Sequence, residues 1–272
     1  MRSLSGPKRP DKPADPLIVH PDIRRMLLTC KALSEGSRVL VLHAVQQVDI
    51  LERSKDADER AAADELLGFL TPIVKGLLTE WANECAYHAL QCFGGHGYVR
   101  EHGMEQLARD ARITTLYEGT TQIQALDLLG RKIVQLQGAG MRRFLGLIQA
   151  FCEQHQADAS LTEFVLPLLE VTRQWAELTI EIGRKAAANG DEIGAASVDY
   201  LFYSGYVALA YWWARSVATA DGGDHPADLR TAKRETARFY YARILPRIHA
   251  HAAAMRSGAG TLMSLDAALF DS

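Results

Sequence analysis

Residues 21–48, PDIRRMLLTCKALSEGSRVLVLHAVQQV, carry the pattern that decides the fold class. From Ile23 onward, apolar or small side chains recur every third or fourth position over about seven turns, which is the period of an amphipathic helix. They are Met26, Leu27, Cys30, Leu33, Ser37, Leu40, Val41, Ala44, Val45 and Val48. Pro21 and Asp22 suit the beginning of this helix, because a first turn tolerates proline and an acidic side chain favours the positive end of the helix dipole. The stretch therefore predicts one long helix that begins near Pro21.

The same period continues along nearly all of the remaining chain. Helices are predicted over about 59–93, 104–112, from a break at 117–119 to 137, and over 141–156, 161–189, 192–221 and 226–256. Pro72 either kinks or divides the first of these, because it removes an intrahelical hydrogen bond. No alternating run is long enough to predict a strand. The sequence thus predicts an all-α fold of two helical bundles, since short loops join antiparallel helices.

The glycine-rich residues 138–140 mark a predicted domain boundary. They divide the helical part of the chain into domains 20–138 and 141–272. Residues 1–19 are predicted to form a proline-rich loop. Its prolines recur every third residue, at Pro7, Pro10, Pro13 and Pro16, which predicts an extended, solvated conformation.

Composition excludes several classes of protein. The net charge is −3, from 30 basic and 33 acidic side chains, so a nucleic-acid partner is not expected. No stretch approaches the roughly 18 apolar residues that a membrane span requires, and the proline-rich N-terminus is not a secretory signal. The four cysteines form no CxxC pair and are too few for a disulfide scaffold, and no metal site is predicted. These features predict a reduced, cytoplasmic protein.

Two segments contain residue types that could do chemistry. The first is 91–98, QCFGGHGY, in which three glycines follow a long helical pattern. Glycine permits positive φ and lets another group approach the bare backbone. The segment is interpreted either as a helix C-cap with a tight turn or as a phosphate or cofactor contact made by backbone N–H groups.

The second segment is 109–124, RDARITTLYEGTTQIQ, which places Glu118 just before a helix N-terminus. Thr121 with Gln124 fits a capping box, and Thr120 is an equally good N-cap. Glu118 is therefore either a solvated carboxylate that favours the helix dipole or a general base on a pliable turn.

Together these residues resemble the C-terminal α-helical domain of acyl-CoA dehydrogenases, in order and spacing as well as in identity. Residues 20–27, HPDIRRML, and 126–132, LDLLGRK, are similar to the longer bacterial branch of that family. That branch carries an additional C-terminal helical domain, which accounts for 142–272. The resemblance is strong over about 20–137 and mostly architectural beyond it.

The resemblance implies an FAD-dependent oxidation of an acyl-CoA to the trans-2-enoyl-CoA. Glu118 occupies the position of the base that removes the α-proton while the β-hydride leaves for the flavin. Tyr117 and Gly119 flank that base and are expected at the substrate. The positions expected to contact FAD are Gln91, Gly94 and Gly95, on the flavin of a neighbouring subunit, and Thr120 and Gln122, on its nucleotide portion. A solvated carboxylate is a weak base, so the mechanism requires Glu118 to be desolvated by substrate.

The resemblance also implies partners and a missing part. The expected partners are an acyl-CoA substrate, an electron-transferring flavoprotein as electron acceptor, and further copies of the chain in a homo-oligomer. The N-terminal helical and middle β-domains of full family members have no counterpart in these residues, which implies a fragment that is inactive alone. Two alternatives stay open: an acyl-CoA oxidase-type flavoenzyme, and a non-catalytic helical assembly module.

Overall fold

The computed structural model describes residues 1–271, and within that range it contains helices, turns and loops but no strand. The all-α prediction is confirmed. The helices are α1 (Pro21–Arg53), α2 (Ala57–Pro72), α3 (Leu78–Phe93), α4 (Gly95–Tyr98), α5 (Met104–Ile113), α6 (Thr121–Leu126), α7 (Ala139–His155), α8 (Thr162–Ala188), α9 (Asp191–Gly222), α10 (Ala227–Phe239), α11 (Ile248–Ser257) and α12 (Gly260–Met263).

The first long helix begins where the sequence predicts. Pro21 occupies its first turn together with Asp22. Its buried face is narrower than the predicted stripe, because Leu27 and Val45 are exposed while Leu33 and Leu40 are fully buried. The helix packs on one side only, against α2 and α3 and, further along the chain, α9.

Pro72 divides the second predicted helix. Helix α2 ends at Pro72, and a π-helical turn over Ile73–Leu77 leads directly into α3. Proline has no N–H to donate to the preceding turn, so the regular helical ladder is interrupted at this point. The π-helical turn is buried except around Val74 and Lys75, and it contacts both α6 and α9.

Helix α9 is the centre of the molecule. It is apolar on every side, as expected for a helix surrounded by others, and Tyr200, Tyr206 and Trp213 are buried along its length. The Trp213 indole N–H donates to the Ala32 carbonyl of α1 at 3.1 Å. Buried side chains from 20–138 and from 141–272 thus form one continuous hydrophobic core around this helix.

Residues 137–140 join the two halves of the chain tightly. Gln137 and Gly138 both have positive φ, at +55° and +63°, and they turn the chain from a π-helical segment, Asp127–Gln135, into α7. Gly140 lies in the first turn of α7 against the backbone of α2, where a Cβ atom would lie 2.6 Å from Phe69 Cβ and even closer to the Glu65 carbonyl oxygen, well inside van der Waals contact distance. Only the absence of a side chain permits this approach.

The N-terminal loop departs from the extended conformation that its prolines predict. The buried Asp15 carboxylate accepts hydrogen bonds from the backbone N–H groups of Ser3, Lys8 and Arg9, each at 2.8 Å. One carboxylate therefore folds the loop back on itself, because three charge-assisted bonds outweigh the local preference for an extended chain.

Candidate functional site

Glu118 lies on a turn between the C-terminus of α5 and the N-terminus of α6. Glu118 has φ +52° and Gly119 has φ +92°, two successive residues in the left-handed region. This conformation costs a non-glycine residue about 1–2 kcal/mol. At Gly119 a Cβ atom would lie 2.5 Å from Gln124 Nε2, the flexible end of a side chain that can shift, so it is the backbone conformation that favours glycine there.

The turn that carries Glu118 is supported by Lys75, a residue of the π-helical segment Ile73–Leu77. Its Nζ donates to the carbonyl oxygens of Thr114 at 2.8 Å, Tyr117 at 2.9 Å and Gly119 at 2.7 Å. All three N–H donors of the ammonium are thereby used. The Tyr117 ring lies over the same nitrogen, 5.7 Å from ring centroid to Nζ, within the range of a cation–π contact.

Both ends of the turn are also tied to α3. The Asn83 amide donates to the Ala111 carbonyl of α5 at 3.2 Å. The Thr121 hydroxyl donates to the Glu80 carboxylate. Of the two N-cap alternatives the structure has Thr120, whose hydroxyl oxygen accepts from the Ile123 N–H at 3.3 Å.

Sequence reasoning missed the residues that support the turn. Lys75, Glu80 and Asn83 belong to the predicted helix 59–93, whose apolar period indicates its buried side and assigns no role to its polar residues. A signal is present in the sequence, because the polar residues Lys75, Thr79 and Asn83 recur every fourth position. Such spacing puts all three on one face.

The Glu118 carboxylate takes no part in these supporting contacts. It is exposed, and within residues 1–271 it makes no hydrogen bond or ion pair. The side chains around it in sequence are apolar and half exposed: Ile113 53%, Leu116 51%, Tyr117 50% and Ile123 57%. An exposed, unpaired carboxylate and four half-exposed apolar side chains thus share the segment 113–123.

The predicted flavin contacts fall into two separate places. Gln91, Gly94 and Gly95 are exposed at the C-terminal end of α3, with Gly94 at φ +60° and no atom within 4 Å of a Cβ placed on Gly95. Thr120 and Gln122 are at the other end, near Glu80. The two places are separated along α3 by about 16 Å, at 1.5 Å per residue, so one chain does not bring them together.

Two kinds of feature are absent from residues 1–271. No three metal-ligating side chains come together in that range. None of the helices described is both long and apolar enough to cross a membrane.

Two family models match the chain in succession. The acyl-CoA dehydrogenase C-terminal domain matches residues 8–133, and the model described as "Acetyl-CoA dehydrogenase C-terminal like" matches residues 144–266. The chain belongs to the acyl-CoA dehydrogenase family.

Relatives within this family extend well beyond the present chain. It is 37% identical over 238 residues to 3-methylmercaptopropionyl-CoA dehydrogenase of Ruegeria pomeroyi, a match that covers 85% of this chain and 40% of that protein. It is 35% identical over 212 residues to the broad-specificity linear acyl-CoA dehydrogenase FadE5 of Mycobacterium tuberculosis, covering 74% and 34%. The chain therefore spans at most two fifths of these two relatives.

A solved acyl-CoA dehydrogenase structure shares the fold. The crystal structure of Caenorhabditis elegans ACDH-11 in complex with C11-CoA aligns with a TM-score of 0.70 and 19% identity, and the alignment covers 98% of this chain and 42% of that one. The similarity runs through both halves of the chain.

The polar groups at the two predicted flavin contacts suit an FAD of this family. The Gln91 amide makes no hydrogen bond within residues 1–271, and the backbone at Gly95 is open to a ligand. The Thr120 hydroxyl accepts one bond as an N-cap and keeps its own proton for donation. Gln122 Nε2 lies 3.4 Å from Ser197 Oγ of α9, which leaves its carbonyl oxygen free to accept. Exposed donors and acceptors of this kind fit the phosphates and hydroxyls of a nucleotide.

Proposed function

We propose that this chain is the C-terminal part of an FAD-dependent acyl-CoA dehydrogenase, in which Glu118 removes the α-proton of the acyl-CoA. The observation that carries the proposal is the carboxylate itself: exposed, unpaired and held on a strained turn, with half-exposed apolar side chains close to it in sequence. A structural glutamate at a helix N-terminus needs neither the strain nor the apolar surroundings.

The reaction requires two C–H bonds to break. The carboxylate of Glu118 takes the proton from the carbon next to the thioester, and the electron pair left behind becomes part of the new Cα–Cβ double bond as hydride leaves Cβ. FAD, when bound, supplies the acceptor for that hydride. The product is the trans-2-enoyl-CoA, and Glu118 holds the proton until it is passed to water.

The neighbours of Glu118 are assigned to the substrate. Tyr117, half exposed beside the base, is proposed to line the acyl pocket, and Gly119 lets the thioester approach the backbone without a side chain in the way. Gln91, Gly94 and Gly95 are proposed to hold the FAD of a neighbouring subunit, and Thr120 and Gln122 the nucleotide portion. The assignment of the two sets to different flavins, and thus to a homo-oligomer, follows the family resemblance.

Desolvation explains why activity is assigned to a longer polypeptide. In water the Glu118 carboxylate is too weak a base for a carbon acid, and burial against apolar surface strengthens it. The half-exposed Ile113, Leu116 and Ile123 are proposed to be covered by the segments that the relatives carry outside the matched region. The chain alone is therefore expected to retain little flavin and to show no turnover, and electron-transferring flavoprotein is proposed as the acceptor for the complete protein.

The test is Glu118→Gln in the complete flavin-loaded polypeptide, which removes the base and changes little else. Anaerobic acyl-CoA should bleach the flavin of the unmodified protein and leave that of the variant oxidised. Glu52→Gln is the matched control, because Glu52 is also exposed and unpaired in the described range but lies on α1. Bleaching that survives Glu118→Gln would refute the assignment and favour an assembly role, whereas peroxide formation in air would indicate the oxidase alternative.

A further inference from the structure

Lys75 is a charged side chain whose contacts all fall on the segment that carries Glu118. Two of its three acceptors, the carbonyls of Tyr117 and Gly119, are on the residues directly before and after Glu118. We propose that Lys75 is a positioning residue, which sets where the Glu118 carboxylate meets the bound thioester. The inference rests on the proposed function of Glu118.

The geometry restricts Glu118 on both sides. With the Tyr117 and Gly119 carbonyls anchored to one ammonium at 2.9 and 2.7 Å, the peptide plane before Glu118 and the peptide plane after Gly119 are both held. The backbone that carries the carboxylate is thereby restrained from each end of the Glu118–Gly119 pair. Because Lys75 donates to backbone carbonyls and the exposed Glu118 has no ion pair within residues 1–271, the lysine restrains the base through its backbone and not through its charge.

The energetics point the same way. A glutamate at φ +52° relaxes to negative φ unless other contacts prevent it. Hydrogen bonds from a charged donor are about twice as strong as neutral ones, and Lys75 supplies three of them. The third, to Thr114, caps the C-terminus of α5, where a cation also interacts favourably with the helix dipole.

The position of Lys75 depends on the interruption of the helix at Pro72. The π-helical turn Ile73–Leu77 follows that proline, and such turns are often found at functional sites. Residues Ile73 and Leu77 of the same turn are completely buried, so the backbone from which the Lys75 side chain extends is rigidly held. A rigid support is what a positioning residue requires.

The experiment compares three variants of the complete polypeptide. Lys75→Met keeps the length of the side chain and removes the donors, whereas Lys75→Arg keeps the charge and several donors. Lys185→Met is the matched control, because Lys185 also donates to a backbone carbonyl, that of Arg256 at 2.7 Å, and makes no contact with the segment that carries Glu118.

The readouts separate positioning from general stability. At saturating acyl-CoA, Lys75→Met should slow flavin bleaching by about 10- to 100-fold, the range expected for a base displaced by an ångström, while KM changes less than about threefold. Lys75→Arg should recover part of the rate, and Lys185→Met should match the unmodified protein. In the flavin-free polypeptide, Lys75→Met should speed amide hydrogen exchange over 115–120 and leave α9 unchanged.

Each other result has a defined meaning. If Glu118→Gln abolishes bleaching but Lys75→Met bleaches at the unmodified rate, the positioning role is overturned and the base assignment stands. If Glu118→Gln bleaches normally, the proposed function fails first. If Lys75→Met does not fold, the test depends on Lys75→Arg. The inference is overturned if this variant loses rate with an equal rise in KM. It is also overturned if the variant bleaches at the unmodified rate with unchanged hydrogen exchange over 115–120.

Discussion

The junction between the two halves of the chain allows a quantitative test of the packing. Gly140 in α7 meets α2 so closely that a Cβ atom would lie 2.6 Å from Phe69 Cβ and against the Glu65 carbonyl oxygen. A backbone atom within a helix cannot rotate away as the end of a flexible side chain can. Gly140→Ala therefore forces α7 and α2 apart.

Two opposing contributions set the size of the effect. Overpacking a well-packed contact costs about 1–3 kcal/mol, and replacing glycine by alanine in a helix returns up to about 1 kcal/mol. Because Gly140 is in the first turn, the stabilisation gained from alanine's helix propensity is small. We therefore expect the free energy of unfolding to fall by about 2 kcal/mol. For a chain of this size that lowers the unfolding midpoint by about 4–8 °C. Thermal and urea unfolding, followed by helical circular dichroism, measure both quantities.

Gly146→Ala is the matched control in the same helix. No atom lies within 4 Å of a Cβ at Gly146, so the same chemical change carries no clash there. This variant should be stabilised by up to about 1 kcal/mol. Equal stabilities of Gly140→Ala and Gly146→Ala would refute the close approach of α7 to α2, and two separate unfolding transitions would refute a single continuous core.

Two further predictions concern charged groups. Arg247, in the turn directly before α11, makes a bidentate contact with Glu84 of α3 at 2.9 and 2.7 Å. A double-mutant cycle of Arg247→Met, Glu84→Gln and the double variant should give a coupling energy of about 1–2 kcal/mol in urea unfolding, whereas additive losses would show the contact to be unimportant. The hydrogen bond from the Ser3 amide, together with those from the Arg9 and Lys8 amides, lowers the pKa of Asp15 to about 2 from its usual 3.8. The ionised carboxylate should therefore stabilise the folded N-terminal loop fully above about pH 4, and this stabilisation should be lost as the pH falls through about 2. Asp15→Asn should speed amide exchange at Lys8 and Arg9 at pH 7, and unchanged exchange would contradict this account.

Much of the helical architecture could be predicted because it depends on local pattern. The period of α1 and the Pro21–Asp22 start follow from side-chain spacing and backbone chemistry, and the structure has both. Pro72 left two outcomes open, a kinked helix or two separate helices. Proline removes one intrahelical hydrogen bond but does not determine the hydrogen-bonding pattern of the turn that follows. The exposed Leu27 and Val45 were not predictable, since a stripe of apolar residues does not say how much of its width a partner covers.

The candidate site divides in a similar way. Glu118 and its flanking residues were identified from the residue types and spacing of 109–124, and Thr120 was one of two possible N-caps. The choice between Thr120 and Thr121 depended on Glu80 of α3, about forty residues earlier in the chain. Its carboxylate accepts a hydrogen bond from the Thr121 hydroxyl. The separation of the flavin contacts likewise follows from the length of α3.

The sequence by itself determined that the chain is helical, where its helices begin, and which carboxylate lies at the glycine turn, because each of these depends on neighbours within a few residues. The tertiary structure alone decided that Lys75 supports that turn, that one carboxylate closes the N-terminal loop, and that both halves share the core around α9. Those contacts join residues far apart in the chain, and their energies arise only when packing brings donors, acceptors and apolar surfaces together.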